Sequence, residues 1–265
     1  MTLDILIPTF RRITALAITL TSLAMQDLRD FRVVISDQND DRDVAAVPEI
    51  QAVTRVLQLH GYGVEVHKHL PRRGMAEQRQ FLLDRTSQPY ALFLDDDLIL
   101  EPDVARRMLS AMRAQQCGFV GCPVIGLSYA EDVRDDEQNV EFWDGPIEPE
   151  DVRPGTAEWE RYRLHNAANV LHLQRRLGLT AERQRLYHVA WVGGCTLYDT
   201  KKLRDAGGFD FWPLLPVEHA GEDVFAQLRV MSRFGGCGLL PSGVYHQELP
   251  TTIEDRHIDA PRVLR

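Results

Sequence analysis

The sequence predicts an α/β fold, with a mostly parallel central sheet flanked by helices. Two features carry this reading. Short apolar runs alternate with stretches of helical periodicity over the first half of the chain, which is the signature of strand–helix–strand crossover units. Several of those runs also end in a Pro-Thr turn or an acid, as expected where strands share a carboxyl edge that binds ligand. The length, 265 residues with 44% hydrophobic and 26% charged, suits an ordinary globular chain with a full core.

The elements follow in order. Asp4-Ile5-Leu6-Ile7-Pro8 is an apolar strand stopped by proline. Ile13, Leu16, Ala17, Leu20, Leu23 and Ala24 recur at steps of three and four, one face of a helix. Phe31 to Ser36 is a second strand, ending at Asp37. Pro48 opens a helix through Ile50, Val53 and Leu57 that stops at Gly61-Tyr62-Gly63. Val64 to His67 is a third strand, Gly74 to Thr86 a helix and Tyr90 to Leu94 a fourth strand. Pro102 and Asp103 begin a helix carrying Val104, Met108, Leu109 and Met112, and Phe119 to Cys122 is a fifth strand. The rhythm breaks over residues 126–187, where prolines 146, 149 and 154 imply irregular backbone and Ala157 to Leu177 reads as one polar helix. This stretch is expected to be an insertion or lid rather than a separate domain. Regular patterning resumes at Val189 to Gly194, and the segment from Leu249 is expected to be a docked tail or disordered.

Composition excludes several functions. A formal net charge of -9 argues against a general nucleic-acid binder, which needs a basic face. No run of about 18 apolar residues exists, so no membrane-spanning helix is expected. The start, Met1-Thr2-Leu3-Asp4, lacks a basic stretch followed by an apolar one, so no signal peptide is expected either. A cytoplasmic location follows by default, with attachment to the inner face of the membrane left open. Cys117, Cys122, Cys195 and Cys237 show no C-x₂-C spacing and read as free thiols.

The chemistry is concentrated at Leu94-Asp95-Asp96-Asp97. Three adjacent carboxylates at the end of a buried strand repel one another, and a divalent cation with hard oxygen ligands removes the penalty. Mg²⁺ or Mn²⁺, shared with a phosphorylated or nucleotide-linked substrate, is the first functional expectation; a solvated acidic loop is the competing one. Glu222-Asp223 precedes Val224, Leu228 and Met231 at helical steps, so both acids fall at a helix N-terminus, where the dipole favours their ionised forms. Simple capping is the alternative there.

The order of motifs is Pro8-Thr9-Phe10-Arg11-Arg12, then Ser36-Asp37-Gln38-Asn39-Asp40, then Arg73-Gly74-Met75-Ala76-Glu77-Gln78-Arg79 and the Asp triplet. Later come Gly193-Gly194-Cys195, Gly207-Gly208-Phe209-Asp210 and Gly221-Glu222-Asp223-Val224. Together these resemble the family 2 inverting glycosyltransferases of GT-A fold, over nearly the whole chain. The resemblance implies a Rossmann-like single domain of residues 1–265. Residues 1–125 would form the nucleotide-binding half. Residues 126–265 would form the acceptor-side half, with the insertion at 126–187. It implies a metal-dependent transfer of a sugar from a nucleoside-diphosphate donor, UDP first with GDP or dTDP as alternatives, to a hydroxyl of a glycan, lipid-linked or small acceptor.

By the same resemblance, Pro8 and Thr9 line the nucleotide pocket. Asp37 holds the base, although an Asx turn is the competing local reading and Gln38-Asn39-Asp40 departs from the family's Asp-Gly-Ser turn. Arg79 faces the diphosphate. Asp95 meets the ribose, Asp97 the metal, with Asp96 beside them and Asp95 and His246 completing the metal shell. Asp223 is the general base, with Glu222 as runner-up. Trp191 and the Gly193-Gly194 pair lie under the donor sugar and acceptor, His219 orients the base or acceptor, and His67 and His69 are structural. Competing classes lack their motifs. Asp95-Asp96-Asp97-Leu98-Ile99 has no threonine where an Asp-x-Asp-x-Thr phosphatase needs one, and the turn after the first strand has no glycine for a nucleotidyltransferase or a dinucleotide-binding dehydrogenase. A non-catalytic sugar-nucleotide binder is the remaining alternative.

Overall fold

Alternation along the first strand sets the layers. A computed structural model describes residues 2–253 and 256–264. In it β1 (Leu3–Thr9) is buried along its whole length, so its two faces need separate covers. Leu3, Ile5 and Ile7 join the core beneath α1 (Ile13–Ala24). Leu6, one residue out of phase, joins the opposite core. The pattern repeats in β2 (Phe31–Asp37), where Val33 and Ile35 pack on the first side and Val34 on the second. The remaining elements follow as α2 (Pro48–Leu59), β3 (Gly63–Lys68), α3 (Met75–Arg85), β4 (Tyr90–Leu94), β5 (Leu98–Leu100), α4 (Val104–Gln115) and β6 (Phe119–Gly121). Then come α5 (Asn169–Arg176), β7 (Arg185–Tyr187), β8 (Cys195–Asp199), α6 (Thr200–Asp205), α7 (Glu222–Phe234), β9 (Gly236–Leu240), β10 (Val244–His246) and α8 (Ala260–Val263).

Eight strands form one sheet in the order β3-β2-β1-β4-β8-β6-β9-β7. Strands β3, β2, β1 and β4 run parallel. Strand β8 lies antiparallel between β4 and β6 and joins the two halves. The helices α1, α2 and α4 cover one face, while α3 and α7 contribute to the core on the other. A buried acid is neutralised inside this frame. Asp4 is fully buried and accepts two hydrogen bonds from Arg32, at 3.0 and 2.7 Å, and one from Thr86 Oγ1 at 2.6 Å.

Two expectations are revised. The polar stretch Ala157 to Leu177 is not one helix: a 3₁₀ segment (Glu158–His165) gives way to α5, with Ala167 at φ +50° between them. The Asn169 side chain donates to Arg163 O at 3.0 Å, and both Asn166 and Asn169 donate to Glu137. These bonds compete with helical continuation. Residues 189–194, where regular patterning is expected to resume, form neither strand nor helix; β8 starts at Cys195, after Gly194 turns at φ +77° and gives its carbonyl to Asp95 N.

A small second sheet pairs β10 antiparallel with β5, placing His246 opposite Leu98. The connection leading into β10 is pinned by Arg107 of α4, one of the largest fully buried side chains. Its guanidinium donates to Pro241 O at 2.6 Å and Ser242 O at 2.9 Å, and pairs with Asp103 at 3.0 Å. Replacing Arg107 with Leu strands those acceptors and Asp103, and is expected to cost about 2–4 kcal/mol in urea unfolding. Arg106→Ala, which removes a half-exposed pair with Asp27, is expected to cost no more than about 1 kcal/mol.

Candidate active site

The parallel arrangement of β1 and β4 delivers Pro8-Thr9 and Asp95-Asp96-Asp97 to the same edge of the sheet. The three aspartates then point to three different partners. Asp95 stays part-exposed and accepts from Arg79 Nη2 at 3.0 Å. Asp96 turns inward, where its carboxylate accepts Thr9 Oγ1 at 2.7 Å and its carbonyl accepts Thr19 Oγ1 at 2.9 Å. Burial pushes the Asp96 carboxyl up to about 7; the Thr9 bond opposes this and the Asp97 charge adds to it. Asp97 is buried and meets both Arg12 and His246. Burial works to raise its pKa, but the His246 hydrogen bond and the Arg12 charge override it and hold the carboxyl below the usual range.

His246 arrives through the β5–β10 pairing. Its Nε2 lies 3.3 Å from Asp97 Oδ2, while its Nδ1 accepts the Glu248 amide at 2.7 Å. Gln247 N donates to Asp97 O at 2.9 Å and fixes the depth of this strand end. Arg12, the residue capping α1, bridges Asp97 and the carbonyl of Pro250.

The opposing wall is the start of α7. Gly221 caps that helix at φ +74°, and a Cβ there would lie 2.3 Å from Asp259 Oδ1. The C-terminal segment packs against this point: Ala220 and Asp259 form a bridge, with Ala220 N donating to Ile258 O at 2.9 Å. The tail is therefore docked over its described residues. Glu222 and Asp223 occupy the first turn of α7. Burial pushes the Asp223 carboxyl up to about 7, with Glu222 adding to the rise and Arg79 opposing it.

Arg79 links the two walls. It projects from α3, is 5% exposed, and donates from Nε to Glu222 at 3.0 Å and from Nη2 to Asp95 at 3.0 Å. Burial opposes its charge, yet the charges of Asp95, Glu222 and Asp223 together hold its proton more tightly than in a free guanidinium. The start of α3 is set by His219, whose Nε2 accepts Ala76 N at 3.1 Å while Nδ1–H donates to Pro216 O at 2.7 Å. Both nitrogens of His219 are thus spent on the scaffold. Gly74, at φ +101°, leaves room for that ring, since a Cβ would sit 2.6 Å from it.

One cleft of about 860 Å³ is lined by Pro8, Arg79, Asp95, Asp96, Asp97, Glu222, Asp223 and His246 together. Trp191 also lines it, held by Tyr162 stacked at 5.4 Å and Trp159 at 4.5 Å, so the insertion reaches the cleft through that ring. Thr9 lies beneath the floor, on Asp96. Asp37 is elsewhere. It is fully buried and accepts Asn39 N at 2.8 Å, Asn39 Nδ2 at 2.7 Å, Val44 N at 3.1 Å and Lys68 Nζ at 3.1 Å, the Asx-turn arrangement. His67 and His69 pair with Glu65 and Glu77 at 3.3 and 2.9 Å. No local pattern marks Arg12 as the partner of Asp97, or Arg256, Asp259 and Arg262 of the tail as cleft residues. An irregular tail carries no periodicity from which to place it.

Among the described residues, no group of three or more His, Cys, Asp or Glu side chains gathers as a cation cage. Asp97 and His246 meet, whereas Asp95 is turned to Arg79. A hard carboxylate with one imidazole still fits Mg²⁺ or Mn²⁺ if substrate phosphates and water supply the other ligands, the usual arrangement for such ions.

Known structures share this architecture. S. aureus TarS residues 1–349, in complex with UDP-GlcNAc, aligns at a TM-score of 0.57 and 16% identity, covering 96% of this chain and 60% of that one. The longer S. aureus TarS structure aligns at 0.55 and 15%, covering 93% and 36%. The mannosyltransferase PcManGT from Pyrobaculum calidifontis, in complex with GDP-Man and Mn²⁺, aligns at 0.56 and 13%, covering 95% and 58%. The chain thus spans between about a third and three fifths of these relatives. No curated protein sequence is significantly similar to it. The profile described as Glycosyl transferase family 2 matches residues 4–184. With the sheet order and the paired acid groups in place, that match makes the chain a member of glycosyl transferase family 2.

Proposed function

We propose that the chain is a metal-dependent inverting glycosyltransferase of one domain. It would move a sugar from a nucleoside-diphosphate donor to a hydroxyl acceptor, glycan, lipid-linked or small. UDP is the first donor handle, with GDP and dTDP as alternatives. The reading places the enzyme in the cytoplasm, at the inner membrane face if the acceptor is lipid-linked. The observation that carries it is the facing of Asp95–Asp97 and Glu222–Asp223 across one cleft, with Arg79 between them.

Asp97 and His246 would hold the cation, which when bound supplies Lewis-acid neutralisation of the departing diphosphate. The remaining chemistry falls to the chain. Asp223 takes the proton from the acceptor hydroxyl as that oxygen bonds to the anomeric carbon. The bond from that carbon to the phosphate oxygen breaks on the opposite face, so a single displacement inverts the centre. A carboxyl pushed up to about 7 suits this role, because the proton it accepts is held more tightly than by an ordinary carboxylate. Glu222 accepts from Arg79, which leaves Asp223 as the acid turned to the acceptor. Gly193 lies against it, where an added Cβ would come 3.9 Å from Asp223 Oδ2.

Asp223→Asn is expected to retain donor binding within about twofold while transfer falls about 10²–10⁴-fold. Transfer at the wild-type rate would remove Asp223 from the role. Asp97→Ala is expected to abolish the extra thermal stabilisation that Mn²⁺ gives to a bound nucleoside diphosphate; an unchanged increment would place the cation elsewhere. The base must be ionised to act, so kcat/KM should rise with pH through about 7, the value to which burial brings Asp223. That rise should be missing from the residual activity of Asp223→Asn. Slow metal-dependent release of nucleoside diphosphate from the donor alone separates a transferase from a non-catalytic binder.

A further inference from the structure

Two side chains converge on one oxygen of Asp97. His246 Nε2 lies 3.3 Å from Oδ2, and Arg12 Nη1 donates to the same atom. Arg12 Nη1 also stands 3.7 Å from Asp96 Oδ1, so one nitrogen faces both acids. The backbone of Arg12 is fixed as the cap of α1, where its carbonyl accepts Leu16 N at 2.9 Å. Its side chain is 16% exposed and lines the cleft. The other terminal nitrogen, Nη2, donates to Pro250 O at 2.5 Å. The neighbouring Arg11 points elsewhere: it is 64% exposed and lies 3.9 Å from Asp40.

A guanidinium and a divalent cation cannot share one carboxylate oxygen at contact distance, because like charges that close repel strongly away from bulk water. We propose that Arg12 is the resident counter-ion of Asp97 and sets the affinity of the cation site. Arg12 yields the carboxylate to Mg²⁺ or Mn²⁺, and its own charge then passes to the phosphates of the donor. When the cation arrives alone, Arg12 gives up Asp97 and gains no new acceptor. When a nucleoside diphosphate arrives as well, its phosphate oxygens take the freed fork, for which a guanidinium is well shaped. Arg12 therefore couples the two ligands and disfavours occupation by free metal. This rests on the metal and donor reading above.

Calorimetry of Mn²⁺ binding to the full chain, alone and with saturating UDP, GDP or dTDP, tests it. The wild type is expected to bind Mn²⁺ weakly alone and about 10–100-fold more tightly with the nucleotide it accepts. Arg12→Gln removes the charge and keeps a donor. It should bind Mn²⁺ alone about tenfold more tightly than the wild type, and its gain from the nucleotide should shrink by a similar factor. Arg12→Met should give the same result. Arg12→Lys keeps the competing charge and should bind Mn²⁺ alone as the wild type does. Arg11→Gln makes the same change of net charge and should leave Mn²⁺ binding within about twofold. Mn²⁺ binding that is unchanged or weaker in Arg12→Gln and Arg12→Met, while Asp97→Ala still abolishes it, overturns the role of Arg12 and leaves the metal reading standing. A wild type that binds no Mn²⁺, with or without nucleotide, overturns that reading and this inference with it.

Discussion

A single buried guanidinium holds the functional edge together. Five of the carboxylates that line the cleft, Asp95, Asp96, Asp97, Glu222 and Asp223, fall in two groups. Like charges a few ångströms apart repel by about 4 kcal/mol per pair at the effective dielectric of a protein surface. Arg79 meets one acid from each group at 3.0 Å and is itself nearly sealed from water. Its removal would leave Asp95 and Glu222 without their shared counter-charge. The position of Arg79 depends in turn on the start of α3, which His219 and Gly74 set against the loop before α7. The acids at the head of α7 and the helix carrying their counter-charge are thus fastened to each other.

Surroundings, rather than residue type, divide the labour within the aspartate triplet. Asp96 loses solvent and gains a hydroxyl donor, with Arg12 no nearer than 3.7 Å, so burial prevails and raises its carboxyl to about 7. Asp97, one residue on, is also buried but meets Arg12 and His246, and stays ionised more readily than a free carboxylate. Asp95 keeps contact with the cleft and with Arg79. Three chemically identical side chains therefore offer an acid that holds its proton more tightly than usual, a stabilised anion and a partner for Arg79.

Much of this was legible in the sequence. The strands β1 to β4 and their covering helices follow from apolar runs and steps of three and four, because burial on both faces demands them. The convergence of Asp95–Asp97 with Glu222–Asp223 was implied by the family resemblance that the motif order carries, and the geometry brings them to one cavity. What local pattern could not show are the pairings made over long separations. Arg12 reaches Asp97 across 85 positions. Strand β5 has three residues, too few to display a period, yet together with the Ile125 bridge it orients β10 and His246. The break after His165 arises from asparagine side chains that bind Glu137 and the backbone, a competition invisible to helix propensity. At Asp37 the sequence admitted two outcomes, and the loop amides have taken every lone pair they can reach.

The antiparallel strand β8 has a mechanical consequence. It is hydrogen-bonded to β4 on one side and β6 on the other, so the portions of the molecule carrying the two acid groups share one uninterrupted ladder. Among the described residues that ladder has no break about which the two portions could swing shut as rigid bodies. Opening of the cavity then falls to side chains at its rim, such as the ring of Trp191, rather than to a hinge between the two halves of the sheet.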